Sequence, residues 1–182
     1  MPQSLLLRTS VIPQSGTYRL VPEHCAAEFS VRHMMMKTAR GRFAAITGKL
    51  VVDRDDPLAS WVRVDLDAAS FRSGSSERDA TIVGPDFLDA ETHPLIRFES
   101  TWVDEVGDGR FHVRGDLYVR DAVDSIELDA QLISVDERRV SFAATGSVSR
   151  RALGLGWSDS IEALGLVVAD TVKLQLAGEF AA

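Results

Sequence analysis

The chain has 182 residues and a formal net charge of −7, from 27 acidic against 20 basic side chains. That length fits one domain with its own core. The acidic balance, without a basic stripe or aromatics interleaved among Lys and Arg, argues against a nucleic-acid partner. No apolar window approaches the length of a transmembrane helix. Leu5-Leu6-Leu7 is too short for a signal-peptide core and follows no basic residue, so the sequence as written reads as cytoplasmic. Cys25 is the single cysteine, which rules out an internal disulfide and suits a reducing compartment. It reads as a small, inert, buried residue.

In chain order, the first strand is predicted around Tyr18. The stretch His24 to His33 then reads as one strand. Cys25, Ala27, Phe29 and Val31 alternate with Glu28, Ser30 and Arg32, and His33 has the parity of the dry face. A strand near Phe43 precedes a charged turn at Asp53 to Pro57. Val62, Val64 and Leu66 then alternate with Arg63, Asp65 and Asp67. Ser73 to Thr92 departs from this period: Ser76 reads as a cap with Asp79 three residues on, and Pro85 opens a second turn ending at Asp89.

Four strands follow in a meander. Ile96, Phe98 and Trp102 are predicted to share a face. Asp108-Gly109 signals a hairpin into a strand whose dry face is Phe111, Val113, Gly115, Leu117 and Val119. Turns at Asp121 to Asp124 and Asp136 to Arg138 separate this strand from Ile126, Leu128, Ala130 and Leu132, and then from Phe142, Ala144 and Val148. A glycine-punctuated, apolar segment from Gly154 to Gly165, with Trp157, Ile161 and Leu164, is expected to lie against an open end. Val172, Leu174 and Leu176 close the series. One dry and one wet face on every strand is antiparallel patterning. About eight such strands make an all-β, antiparallel barrel with one or two short helical turns, small enough to hold one ligand.

The ordered motifs resemble one family. Tyr18, His24 and Phe29-Ser30-Val31-Arg32-His33 are followed by Gly41-Arg42-Phe43 and Gly48. Then come Arg78-Asp79, Phe87-Leu88-Asp89, Pro94-Leu95-Ile96-Arg97-Phe98-Glu99-Ser100 and Gly115-Asp116-Leu117. In this order and spacing they resemble the YceI-like domain, a lipocalin-like barrel linked to polyisoprenoid lipids. Three positions depart from its pattern: Cys25 stands for Ser, Asp121 for Gly, and Arg150-Arg151-Ala152-Leu153-Gly154 lacks the acid and the aromatic of Arg-x-Asp-Phe-Gly. The resemblance spans about residues 17–181, which makes residues 17–182 the lipid-binding domain and 1–16 an N-terminal extension.

Inward residue types alone fit a filled core and a ligand cavity equally well. The resemblance implies the cavity, and with it a bacterial protein that binds a long isoprenoid chain for transport, storage or sensing. Its lumen would be lined by Phe29, Val31, His33, Val62, Val64, Leu66, Ile96, Phe98, Trp102, Phe111, Val113, Leu117, Ile126, Leu128 and Phe142. His33 reads chiefly as a strand cap with a local partner. Arg40, Arg42, Arg78 and Arg150 are candidates for an anionic head group, since guanidinium suits phosphate geometry. No cofactor is expected beyond a bound polyisoprenoid or isoprenoid quinone. His24 and His33 have opposite parity, His93 and His112 stand alone, and no His spacing suits a metal. No Gly-x-Ser-x-Gly elbow or nucleotide loop is present, so a binding protein is expected and not an enzyme. The alternative is a filled barrel serving as a dimerisation module, with Trp61 and Tyr118 at a homodimer face.

Overall fold

The structure, a computed structural model, describes residues 12–33, 37–156 and 168–182, with backbone alone at His33 and Val168. The described strands are β1 (Gly16–Leu20), β2 (Ala26–His33), β3 (Lys37–Phe43), β4 (Ile46–Val52), β5 (Trp61–Asp67), β6 (Phe71–Arg72), β7 (Leu95–Gly107), β8 (Arg110–Val119), β9 (Ala122–Val135), β10 (Arg139–Ser149) and β11 (Val168–Ala181). One helix, α1 (Ser76–Val83), lies between β6 and β7. β1 with β2, β3 with β4, and β5 with β6 are halves of three interrupted strands, because β1 pairs β4 while β2 pairs β3, and β4 pairs β5 while β3 pairs β6. The result is an eight-stranded antiparallel meander. β11 closes it by pairing with both β2 and β1, the latter through Arg19 with Ala181 and Leu20 with Phe180.

The three interruptions have local causes. Pro22 opens a 3-10 turn over Pro22–His24, so the expected strand from His24 begins instead at Ala26. The Cys25 thiol donates to the Val21 carbonyl at 2.9 Å inside that bend. The other two breaks are stapled together. Ser70 Oγ accepts from the amides of Ala44 and Ala45 at 3.1 and 3.0 Å and donates to the Asp67 carbonyl at 2.6 Å, so both amides keep a partner where the ladder stops.

The hairpin at Asp108-Gly109 forms with both residues at positive φ, 56° and 70°, a backbone twist that matches antiparallel strands. At the Asp136 turn the carboxylate accepts from the amides of Arg138 and Arg139, each at 2.8 Å.

Two expectations are corrected here. Ser75, one residue earlier than expected, caps α1: its Oγ accepts from the Arg78 amide at 3.3 Å. Asp79 instead accepts from the amide and hydroxyl of Ser73, both at 2.7 Å. Residues 85–89 form irregular turns and no second helical turn, and Asp89 sits at a φ of 48°.

The core has two parts. Tyr18, Val52, Val140 and Phe180 pack one end of the barrel, with Val140 fully buried and the Tyr18 hydroxyl donating to the Gln14 carbonyl at 2.8 Å. At the other end Ile82 of α1, Leu88, Leu153 and Leu155 close over the strands.

Candidate functional site

The strands enclose a cavity of about 840 Å³. That size lies in the range of small-molecule sites. Each strand brings its dry face to it by the period-two alternation. β2 contributes Phe29 and Val31; β5 contributes Val62, Val64 and Leu66; β7 contributes Ile96 and Phe98. β8 brings Phe111, Val113 and Leu117, β9 brings Ile126 and Leu128, and β10 brings Phe142. Thirteen of the fifteen residues expected at the lumen therefore border this cavity.

Trp102 does not. The β7–β8 register shifts between Ser100 and Trp102, a bulge that inserts one residue and reverses the parity beyond it. Val103 takes the inward place and pairs with Val113, while Trp102 turns outward, 39% exposed, with the Arg114 guanidinium 5.5 Å from its ring centre. Ser100 Oγ accepts the Val62 amide at 2.9 Å just where the β5–β7 ladder ends, which marks the start of the bulge. The His33 backbone ends β2 opposite Lys37; its side chain, like Trp157, Ile161 and Leu164, lies outside the described residues.

Several large side chains pack closely against bare backbone. A Cβ at Gly115 would stand 2.5 Å from the Phe98 ring, and one at Gly146 would stand 2.6 Å from a Leu128 methyl. These side chains occupy the wall in place of the lumen.

Among the described residues that border the cavity, charge lies at the two rims and at one deep position. At the α1 end Arg40, Glu77 and Arg78 border the cavity. Arg78 precedes the buried Ile82 by four residues and so shares its face of α1. Arg42 does not border it: Gly41 and Phe43 take the inward parity, and Arg42 is exposed on the outer face. At the opposite end the rim holds Asp53, Arg54 and Glu105. Arg150 borders the cavity at 5% exposure, and its Nη1 donates to the Leu155 carbonyl at 2.7 Å.

Sequence reasoning missed the residue that holds this region, Asp170. Its carboxylate accepts from the Ser149 hydroxyl at 2.7 Å and the Arg151 amide at 2.9 Å, and its carbonyl accepts from the Arg150 amide. The Ser149 hydrogen bond, then that from Arg151, holds the Asp170 carboxyl below its usual range. Folded on this anchor, residues 149–155 carry Leu153 and Leu155 into the lining. The departure at Ala152-Leu153 thus leaves an apolar side chain at a lining position. No signal in the sequence links Asp170 to Ser149, which stands 21 positions earlier on another strand.

Cys25 also borders the cavity, half-buried, and burial is the main cause that pushes its thiol upward. A raised thiol is a weak nucleophile at neutral pH. Among the described residues no cluster of three or more His, Cys, Asp or Glu is placed to hold a metal ion, and no described helix is long and apolar enough to cross a membrane.

Known proteins share this architecture. A UPF0312 protein of Vibrio cholerae is 31% identical over 137 residues, 72% of each chain. Burkholderia cenocepacia BcnA superposes with a TM-score of 0.78 at 18% identity, covering 88% of this chain and 98% of its own. A polyisoprenoid binding domain from Saccharophagus degradans, implicated in plant cell wall breakdown, gives a TM-score of 0.71 at 14% identity over 93% of this chain and 99% of its own. At that identity the two structures speak for a common fold. The pattern of the YceI-like domain matches residues 18–180, nearly the whole barrel, and the chain belongs to the YceI-like domain family.

Proposed function

We propose that this protein binds a long apolar isoprenoid-type lipid in the barrel lumen, as a carrier, store or sensor and not as an enzyme. The observation that carries this reading is the cavity of about 840 Å³, lined by aliphatic and phenyl side chains from all eight strands. A filled barrel would have no such space, and a site for a polar ligand would place hydrogen-bonding groups along its walls. Each buried methylene contributes roughly 0.8 kcal/mol, so an isoprenoid tail binds here without any polar contact. The Saccharophagus relative, a polyisoprenoid binding domain of the same fold, supports the same class of ligand. In this reading the head group stays at the α1 rim, beside Arg40 and Arg78, with Arg150 below them. The lipid-binding unit is residues 17–182.

The test is organic extraction of the purified protein followed by mass spectrometry, with titration of a fluorescent polyprenyl analogue. A co-purifying isoprenoid and saturable binding are expected. A clean extract together with no saturable binding would leave a structural module without a lipid ligand as the better account.

A further inference from the structure

We infer that the cavity measures its ligand, holding a chain of about five to six isoprene units, and that Gly41 and Phe71 set its bore at the α1 end. This rests on the lipid reading above and adds a length limit to it.

The limit follows from volume and from the walls. If each heavy atom takes roughly the 30 Å³ that a water takes in the liquid, then 840 Å³ houses about 28 heavy atoms, or five to six five-carbon units. Among the described strands the hydrogen-bonded ring is closed through β1 and β11, so a tail runs along the barrel axis. At the end away from α1 the floor is packed by Tyr18, Val140 and Phe180. What opening remains there borders on Asp53, Arg54 and Glu105. A tail that outgrows the lumen must pass charged groups into water, where further methylenes gain nothing.

The bore depends on one close approach. Gly41 has inward parity on β3 and borders the cavity. The three atoms nearest to a Cβ built there all belong to the Phe71 ring, with Cε2 at 2.5 Å, so the ring occupies the space that glycine leaves. Phe43 meets Phe71 edge to face at a centroid distance of 5.5 Å, and Phe29 meets Phe43 at 5.0 Å. This phenyl ladder keeps Phe71 against the wall. A methyl at position 41 has no room on the wall side, so the ring must swing toward the axis and narrow the lumen. Gly115 and Gly146 are poorer probes, since a Cβ there also meets the backbone carbonyls of Glu99 and Glu127.

The experiment titrates prenyl phosphates of three to ten isoprene units into the purified protein. Affinity should rise about ten-fold or more per unit up to five or six units and then level off. Gly41→Ala should move the plateau to shorter chains, and adding Phe71→Leu to it should move the plateau back. Circular dichroism and thermal melting check that each variant is folded. If Gly41→Ala fails to fold, Phe71→Leu alone carries the test and should lengthen the chains accepted. Affinity that keeps rising through ten units overturns the length limit while lipid binding stands. A plateau unmoved in every folded variant overturns the role of Gly41 and Phe71. No binding at any length overturns the lipid reading and this inference with it.

Discussion

The Ser149 hydroxyl donates to the Asp170 carboxylate at 2.7 Å and ties the turn after β10 to the strand that closes the barrel. The same carboxylate takes the Arg151 amide, so one side chain holds the turn that carries Leu153 and Leu155 over the cavity. Asp170→Ala should free that turn. The expected result is several-fold faster release of a bound prenyl analogue in stopped-flow displacement, with the barrel still formed by circular dichroism. Unchanged release would show that the turn does not cover the ligand.

Acid should weaken the fold through three carboxylates. Asp170 is held low by Ser149 and Arg151, Asp136 by the amides of Arg138 and Arg139, and Glu179 by His24 and then the Arg139 cation. A carboxylate whose pKa is lower folded than unfolded adds stability that is present above the unfolded value and is lost as pH falls through the folded one. Urea midpoints should therefore stay level down to about pH 5 and decline below about pH 4. Equal midpoints at neutral and strongly acidic pH would contradict the assignment.

Val113→Asp puts a charge on the inward face of β8, between the pairing positions Val103 and Leu128. The site is 9% exposed and no cation neighbours it in the ladder. The variant should lose about 3–5 kcal/mol of unfolding free energy by urea titration. A variant as stable as the parent would mean that this face of β8 is wet.

Phe98→Leu keeps an apolar wall and removes the ring that lies over Gly115. Its stability cost should be small, about 1–1.5 kcal/mol. If the lumen holds lipid, the variant should accept bulkier or longer tails than the parent. Destabilisation with no change in tail preference would fit a core that admits no ligand.

Arg78→Glu reverses the charge on the α1 face that borders the cavity. Loss of one charge-assisted contact should weaken a prenyl phosphate about ten-fold and leave the matching alcohol within about two-fold. An equal loss for both would place the effect in α1 and not in the head group.

The eight-stranded barrel was legible because its rule is local. Alternation along β5, β8 and β9 needs no knowledge of neighbours, and Asp108-Gly109 carries its own turn geometry in two residues. The same locality explains the errors. A parity count runs straight through Ser100, since a bulge is registered only against the partner strand, and so it sent Trp102 inward. The cap is Ser75, which takes the Arg78 amide, while the Asp79 carboxylate turns to Ser73. Two features were settled by the tertiary structure alone. Asp170 meets Ser149 across 21 positions, and Phe71 fills the space at Gly41 from 30 positions away. Residue types along a strand state how much side chain points inward. Whether that volume lies on the wall or across the lumen depends on a glycine in another strand, and only the closed barrel brings the two together.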